Sequence, residues 1–193
     1  MNKPTLVTTL AFLLAGAAPL AAAAPATYAV DPTHTFARYA IPHFDTSTNR
    51  GIVGKASGSV MLDKEARTGT ADIRLDMSFI QTGVPGLDSH LKGVDFFDVA
   101  KYPTARFVGE RFVFDGDKLQ QVVGQLTLRD RTHPVTLQAQ RFNCYESPML
   151  KREVCGGDFE ATIKRSLWGA GWGVGMGFAD DVKLTIQIEA IRQ

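Results

Sequence analysis

Cysteine is scarce in this chain, with two residues in 193, too few for a scaffold built on several disulfides and without the close spacing of a paired-cysteine zinc site. An excess of charge of one sign is also missing: 21 lysines and arginines face 20 aspartates and glutamates. A phosphate backbone held by counterion release needs a basic surplus, so nucleic acid is not an expected partner. No segment of the chain after residue 28 carries an apolar stripe of helical period over three turns, which excludes a helical bundle or coiled coil. Glycine and proline, 18 and 9 residues, are spread along the chain, and 45% hydrophobic content is that of a packed domain, not a disordered one.

The one strongly apolar stretch lies at the start. Lys3 precedes an apolar run from Leu6 to Leu14 and then an alanine-rich segment, the arrangement of a secretory signal peptide. Its core is well short of the roughly 20 residues of a membrane span. Ala21 and Ala23 fit the small-residue rule for cleavage, and a cut after Ala24 would place Pro25 first. The expected organisation is therefore a leader over residues 1–23 and one domain over 24–193, exported and periplasmic, close to neutral once Lys3 has gone.

The mature chain alternates apolar and polar residues. A strand from Thr35 to Phe44 sends Tyr39, Ile41 and His43 one way and Phe36, Arg38 and Ala40 the other, with Pro42 marking an edge or bulge. Gly51 to Leu62 reads as a second strand. The third has the clearest period, with Ala71, Ile73, Leu75, Met77 and Phe79 on a dry face and Asp72, Arg74, Asp76 and Ser78 on a wet one. Between Gln81 and Pro103 the alternation stops, and Leu87 to Lys92 can form one or two helical turns. Strands follow over Thr104–Phe114, Leu119–Arg129, Pro134–Tyr145 and Asp158–Trp168, and a glycine-rich loop from Gly169 to Gly177 precedes a last strand around Val182, Leu184, Ile186 and Ile188. The expected fold is all-β: about eight long antiparallel strands with one apolar face, which can bury that face as a sandwich or by closing into a barrel, closure alone removing the exposed edges. Such a barrel has room for one small ligand.

Chemistry-bearing motifs are few. Cys144 and Cys155 flank an irregular segment with Pro148, Gly156 and Gly157, and in an oxidising compartment a disulfide is their natural reading, with free thiols as the alternative. His34, His43, His90 and His133 lie in separate segments without the spacing of a zinc motif; only convergence in space would make a metal site or an enzyme of them. There is no G-x-S-x-G elbow, and the Gly169–Gly175 run lacks the lysine and serine or threonine of a phosphate loop. No cofactor is expected.

Several separated motifs, read together, resemble the YceI-like family of lipid-binding, lipocalin-like bacterial proteins from Tyr28 to the C-terminus. Asp31-Pro32-Thr33-His34-Thr35, followed by His43, resembles that family's opening. Asp88-Ser89-His90-Leu91 leading to Asp95-Phe96-Phe97-Asp98 and Lys101-Tyr102-Pro103 is the most specific match. Gly124 to Arg129 with Thr132-His133-Pro134-Val135 resembles a third block, with Asp130 where glycine is common, and Ile163-Lys164-Arg165-Ser166 resembles a fourth, followed by Leu167-Trp168 in place of aspartate and phenylalanine.

The resemblance implies an extended lipocalin-like barrel that binds, stores or transports a polyisoprenoid, quinone or similar long-chain amphiphile, without catalysis. From strand period and pairing, the expected lumen residues are Tyr39, Ile41, Ile73, Leu75, Met77, Phe107, Leu126, Leu128, Leu137, Ile163, Leu184 and Ile186, whose other role would be a solid core. The motif residues able to donate to a headgroup are His43, His90 and Arg165. Asp95 to Asp98 is expected to cap the barrel, phenylalanines inward and aspartates bonding turn amides. A further reading is a partner-binding module in transient contact with a membrane or a membrane redox protein that handles quinones. A homodimer is compatible with each reading.

Overall fold

The computed structural model describes residues 24–193; the expected leader lies outside them. Nine strands run in chain order: β1 Ala26–Val30, β2 Phe36–His43, β3 Ser47–Asp63, β4 Thr68–Gln81, β5 Thr104–Asp115, β6 Lys118–Leu128, β7 Arg131–Glu146, β8 Glu153–Lys164 and β9 Asp181–Arg192. One helix, α1 (Pro85–Lys92), and a 3₁₀ turn (Arg165–Trp168) interrupt them. All pairings among the nine strands are antiparallel, and β3 pairs with β4 to complete the ring.

Nine strands make an eight-staved barrel because β1 and β2 share a stave. Both pair with β3 and β9, β1 through Tyr28↔Val60 and Tyr28↔Arg192, β2 through Arg38↔Ile52 and Arg38↔Thr185. The break between them is a turn at Asp31-Pro32, where the Asp31 carboxylate accepts from the Thr33 amide at 2.9 Å, a side-chain-made turn beside a residue with no N–H. Pro42 pairs with Thr48 at the tip of β2, beyond the stretch Phe36–Ala40 that β9 reaches. Its missing donor therefore costs no bond on that side.

The alternation read in β4 holds from Ala71 to Met77 and then fails. Phe79, expected on the dry face, is 39% exposed and Ile80 is 2% exposed. The cause is a register shift at the closing seam: Lys55 pairs with Asp76 but Val53 with Ile80. The irregularity there interrupts the two-residue alternation, and Gly54 permits the bend with φ +75, where an added Cβ would stand 2.5 Å from Leu75 Cβ. Two further expectations are corrected. The strand read as Asp158–Trp168 is Glu153–Lys164, because Ser166 donates from its amide and hydroxyl to Asp180 (2.8 and 2.7 Å) and Gly169 closes the turn with φ 77. The irregular segment around the cysteines is confined to residues 147–152: Gly156 and Gly157 lie in β8, and Cys144 and Cys155 are directly opposed in the β7–β8 ladder and joined as a disulfide.

One end of the barrel is plugged. Tyr28, Leu62, Cys155 and Ala190 are buried there with Phe112, Phe114 and Phe142 packed against them. At the other end lie the β2–β3 turn, the 81–103 connection and the 165–180 loop. These form the mouth.

Candidate functional site

Between plug and mouth the lumen is not filled. Two adjoining chambers occupy it, of about 150 Å³ toward the plug and about 480 Å³ toward the mouth, and Ala37, Leu75, Leu126 and Leu184 wall both. The larger falls in the roughly 300–1,000 Å³ range of small-molecule sites. Ile73, Phe107, Leu137 and Ile186 line the inner chamber; Tyr39, Ile41, Met77, Leu128 and Ile163 line the outer one; Leu75, Leu126 and Leu184 line both. The twelve expected lumen residues thus wall these two adjoining chambers, as period-2 geometry requires of positions sharing a sheet face.

The chambers differ in polarity. The inner one is walled by aliphatic and phenyl groups, with Thr35 and Tyr28 its polar members. Both are engaged: the Thr35 hydroxyl donates to the Glu189 carbonyl at 3.2 Å and the Tyr28 hydroxyl to Glu153 at 2.7 Å. The outer chamber gathers the donors, Tyr39, His43, Asn49, His90 and Arg165. Burial, with the Asp88 charge adding to it, raises the Tyr39 phenol.

His43 and His90 belong to a chain of edge-on and tilted ring contacts around the mouth. His43 touches Phe44 and Phe178, with centroids 4.8 and 5.4 Å apart; Phe178 touches Trp172 at 5.4 Å; Trp172 touches His90 at 5.1 Å; and His90 touches Phe96 at 4.9 Å. The collar joins three segments distant in sequence. Phe44, Trp172 and Phe178 were not among the expected site residues, because they sit where alternation has stopped and period gives no facing.

Arg165 is 7% exposed. Its Nε donates to the Ala179 carbonyl at 2.9 Å and its Nη1 to those of Ala170 and Trp172 at 2.5 and 2.8 Å, and its guanidinium lies 5.8 Å from the Phe96 ring. Burial lowers its pKa, opposed by the charge of Asp180. Phe96 and Phe97 face the outer chamber. The adjoining turn is held by backbone carbonyls rather than by the aspartates: the Asp98 amide donates to Gly93 at 2.8 Å and the Phe97 amide to Leu91 at 3.0 Å.

The histidines do not assemble. His34 pairs through Nδ1 with Asp31 at 2.7 Å on the outside, and His133 meets Trp168 and the Leu167 carbonyl. Among the described residues the cluster of three metal-capable groups is Cys144, Glu153 and Cys155, whose sulfurs are bonded to each other.

A closed antiparallel barrel with a hollow apolar lumen and a donor-bearing mouth defines the class. The chain belongs to the YceI-like domain family, whose model matches residues 28–190. It is 29% identical over 196 residues to Protein YceI of Escherichia coli O157:H7, covering 100% of both chains. Among solved structures, it matches Burkholderia cenocepacia BcnA with TM-score 0.69 and 23% identity over 83% of this chain and 99% of that one. It also matches a polyisoprenoid binding domain from Saccharophagus degradans implicated in plant cell wall breakdown, with TM-score 0.64 and 14% identity over 86% and 98%.

Proposed function

We propose that the protein is a binding protein for a long-chain amphiphile, a polyisoprenoid or the tail of a quinone-like lipid, and not an enzyme. The observation that carries this reading is the lumen itself: an apolar inner chamber adjoining an outer one whose polar groups gather at the mouth. An apolar chain gains about 0.8 kcal/mol per methylene taken from water, so about ten methylenes contribute on the order of 8 kcal/mol before the cost of ordering the chain. The head then sits among Arg165, His43 and His90. Family membership and the polyisoprenoid binding domain of like fold support the same ligand class.

The reading includes export to the periplasm after cleavage behind Ala23, and storage or carriage of the ligand there. Displacement of the neutral dye Nile red by a long polyprenol, ubiquinone and farnesol tests the binding reading. Saturable one-to-one displacement is expected, strongest for the longer chains; no displacement by any of the three contradicts it.

A further inference from the structure

Resting on the reading above, we infer that the lumen selects amphiphiles whose head is an anionic oxygen group, a carboxylate or phosphate, held by the free Nη2 of Arg165. Three of the five guanidinium N–H groups are committed, one from Nε and two from Nη1, all to carbonyls of the 170–179 loop. Nη2 has no hydrogen-bond partner among the described residues. No described side-chain nitrogen is both fully buried and unpaired, so Nη2 keeps some accessible surface, and the space Arg165 borders is the outer chamber.

The charge around it is unbalanced. No aspartate or glutamate lines the outer chamber; its other polar walls are Tyr39, Asn49, His43 and His90. The carboxylate acting on Arg165 is Asp180, and both its oxygens are taken by Ser166, with no ion pair to the guanidinium. The loop carbonyls satisfy N–H groups but carry no formal charge. A neutral head supplies an acceptor to Nη2 and leaves the cation uncompensated. A cationic head meets like charge. An anionic head supplies acceptors and charge together, in a low-dielectric site where charge-assisted bonds are strongest, and the N–H groups of Nη2 are the ones left to donate to it.

The test uses the whole mature protein and one chain length throughout: hexadecanoate, hexadecyl phosphate, methyl hexadecanoate, hexadecanol and hexadecyltrimethylammonium, each competing with Nile red below its micelle concentration. Both anions are expected to bind about tenfold or more tighter than the ester and the alcohol, with the ammonium weakest. Whether carboxylate or phosphate is the tighter distinguishes a fatty-acid-like from a phosphoprenyl-like head. In Arg165→Gln the preference for the anions is expected to collapse, hexadecanoate and hexadecyl phosphate falling to within about twofold of hexadecanol measured on the same variant. Because Arg165 also ties the loop, the comparison of hexadecanoate with its methyl ester on the unaltered protein stands independently of that variant. Equal affinity for anion, ester and alcohol, or tightest binding of the ammonium, overturns the inference while leaving the lumen a lipid site; no binding of any of the five overturns the lipid reading with it.

Discussion

Arg129 donates from one guanidinium nitrogen to the Phe96 carbonyl at 2.7 Å, and from the same nitrogen to the Gly169 carbonyl. Phe96 belongs to the 81–103 connection and Gly169 to the 165–180 loop, so a residue just past the end of β6 fastens together two of the three segments that shape the mouth. Replacing Arg129 by alanine leaves two carbonyls without this donor and is expected to cost about 1–3 kcal/mol. Hydrogen exchange should rise over residues 93–103 and 165–175 with the strands unaffected. Exchange that rises evenly over the barrel contradicts this division.

The waist between the chambers offers a test of ligand length. Ala37 walls both, and Ala37→Phe places a ring where a chain would pass. A long polyprenol is expected to lose about tenfold or more in affinity while farnesol, short enough for the outer chamber, changes little. Overpacking at such a site costs about 1–3 kcal/mol, which denaturant unfolding measures separately. Equal losses for both probes contradict a continuous lumen.

Glu153 ties down the closed end, accepting from Tyr28 at 2.7 Å and from Lys64, with Arg192 at 3.6 Å. Burial raises its pKa, but the bonds from Lys64 and Tyr28 and the charges of Lys64 and Arg192 outweigh it and leave the carboxyl below its ordinary value. Its stabilisation is therefore full above the unfolded value, roughly 4.3, and lost as pH falls through the lower folded one. The stability gap between the native protein and Glu153→Gln should close on acidification through that window. For Tyr28, burial first and the bond to Glu153 second push the phenol up to about 12. Its contribution holds below roughly pH 10 and is lost as pH rises through about 12, so Tyr28→Phe should flatten the alkaline limb. Parallel pH profiles would contradict both assignments.

The disulfide clasps β7 to β8 across 11 positions. Closing a loop of that size stabilises by roughly 2–3 kcal/mol in the chain-entropy model. Reduction with dithiothreitol is expected to lower the unfolding free energy by about that amount, with no effect on dye bound in the outer chamber, whose walls do not include either cysteine. Unchanged stability after verified reduction contradicts it.

What was legible in the sequence was what alternation encodes. A position in the middle of a strand has one of two facings, and apolar residues at i, i+2 and i+4 choose between them, which is why Ile73, Leu75 and Met77, or Leu126 and Leu128, fall on one wall. Where the ladder slips the rule misleads, as for Phe79, since the shift depends on pairing with β3 and not on β4 alone. The collar was less legible because Trp172, Phe178 and Phe44 lie in turns whose facing is set by tertiary contacts. Arg165 and His90 were reached through motif resemblance; the carbonyl partners that fix Arg165 lie five to fourteen residues downstream in a loop without periodicity.

The most direct test of the account is native mass spectrometry of the protein purified from its source compartment without detergent, followed by solvent extraction. The account predicts a chain beginning at Ala24 that carries one equivalent of a long-chain amphiphile, released by solvent and identified in the extract. A protein of bare mass that takes up none of the polyprenol, quinone or hexadecyl probes would contradict it.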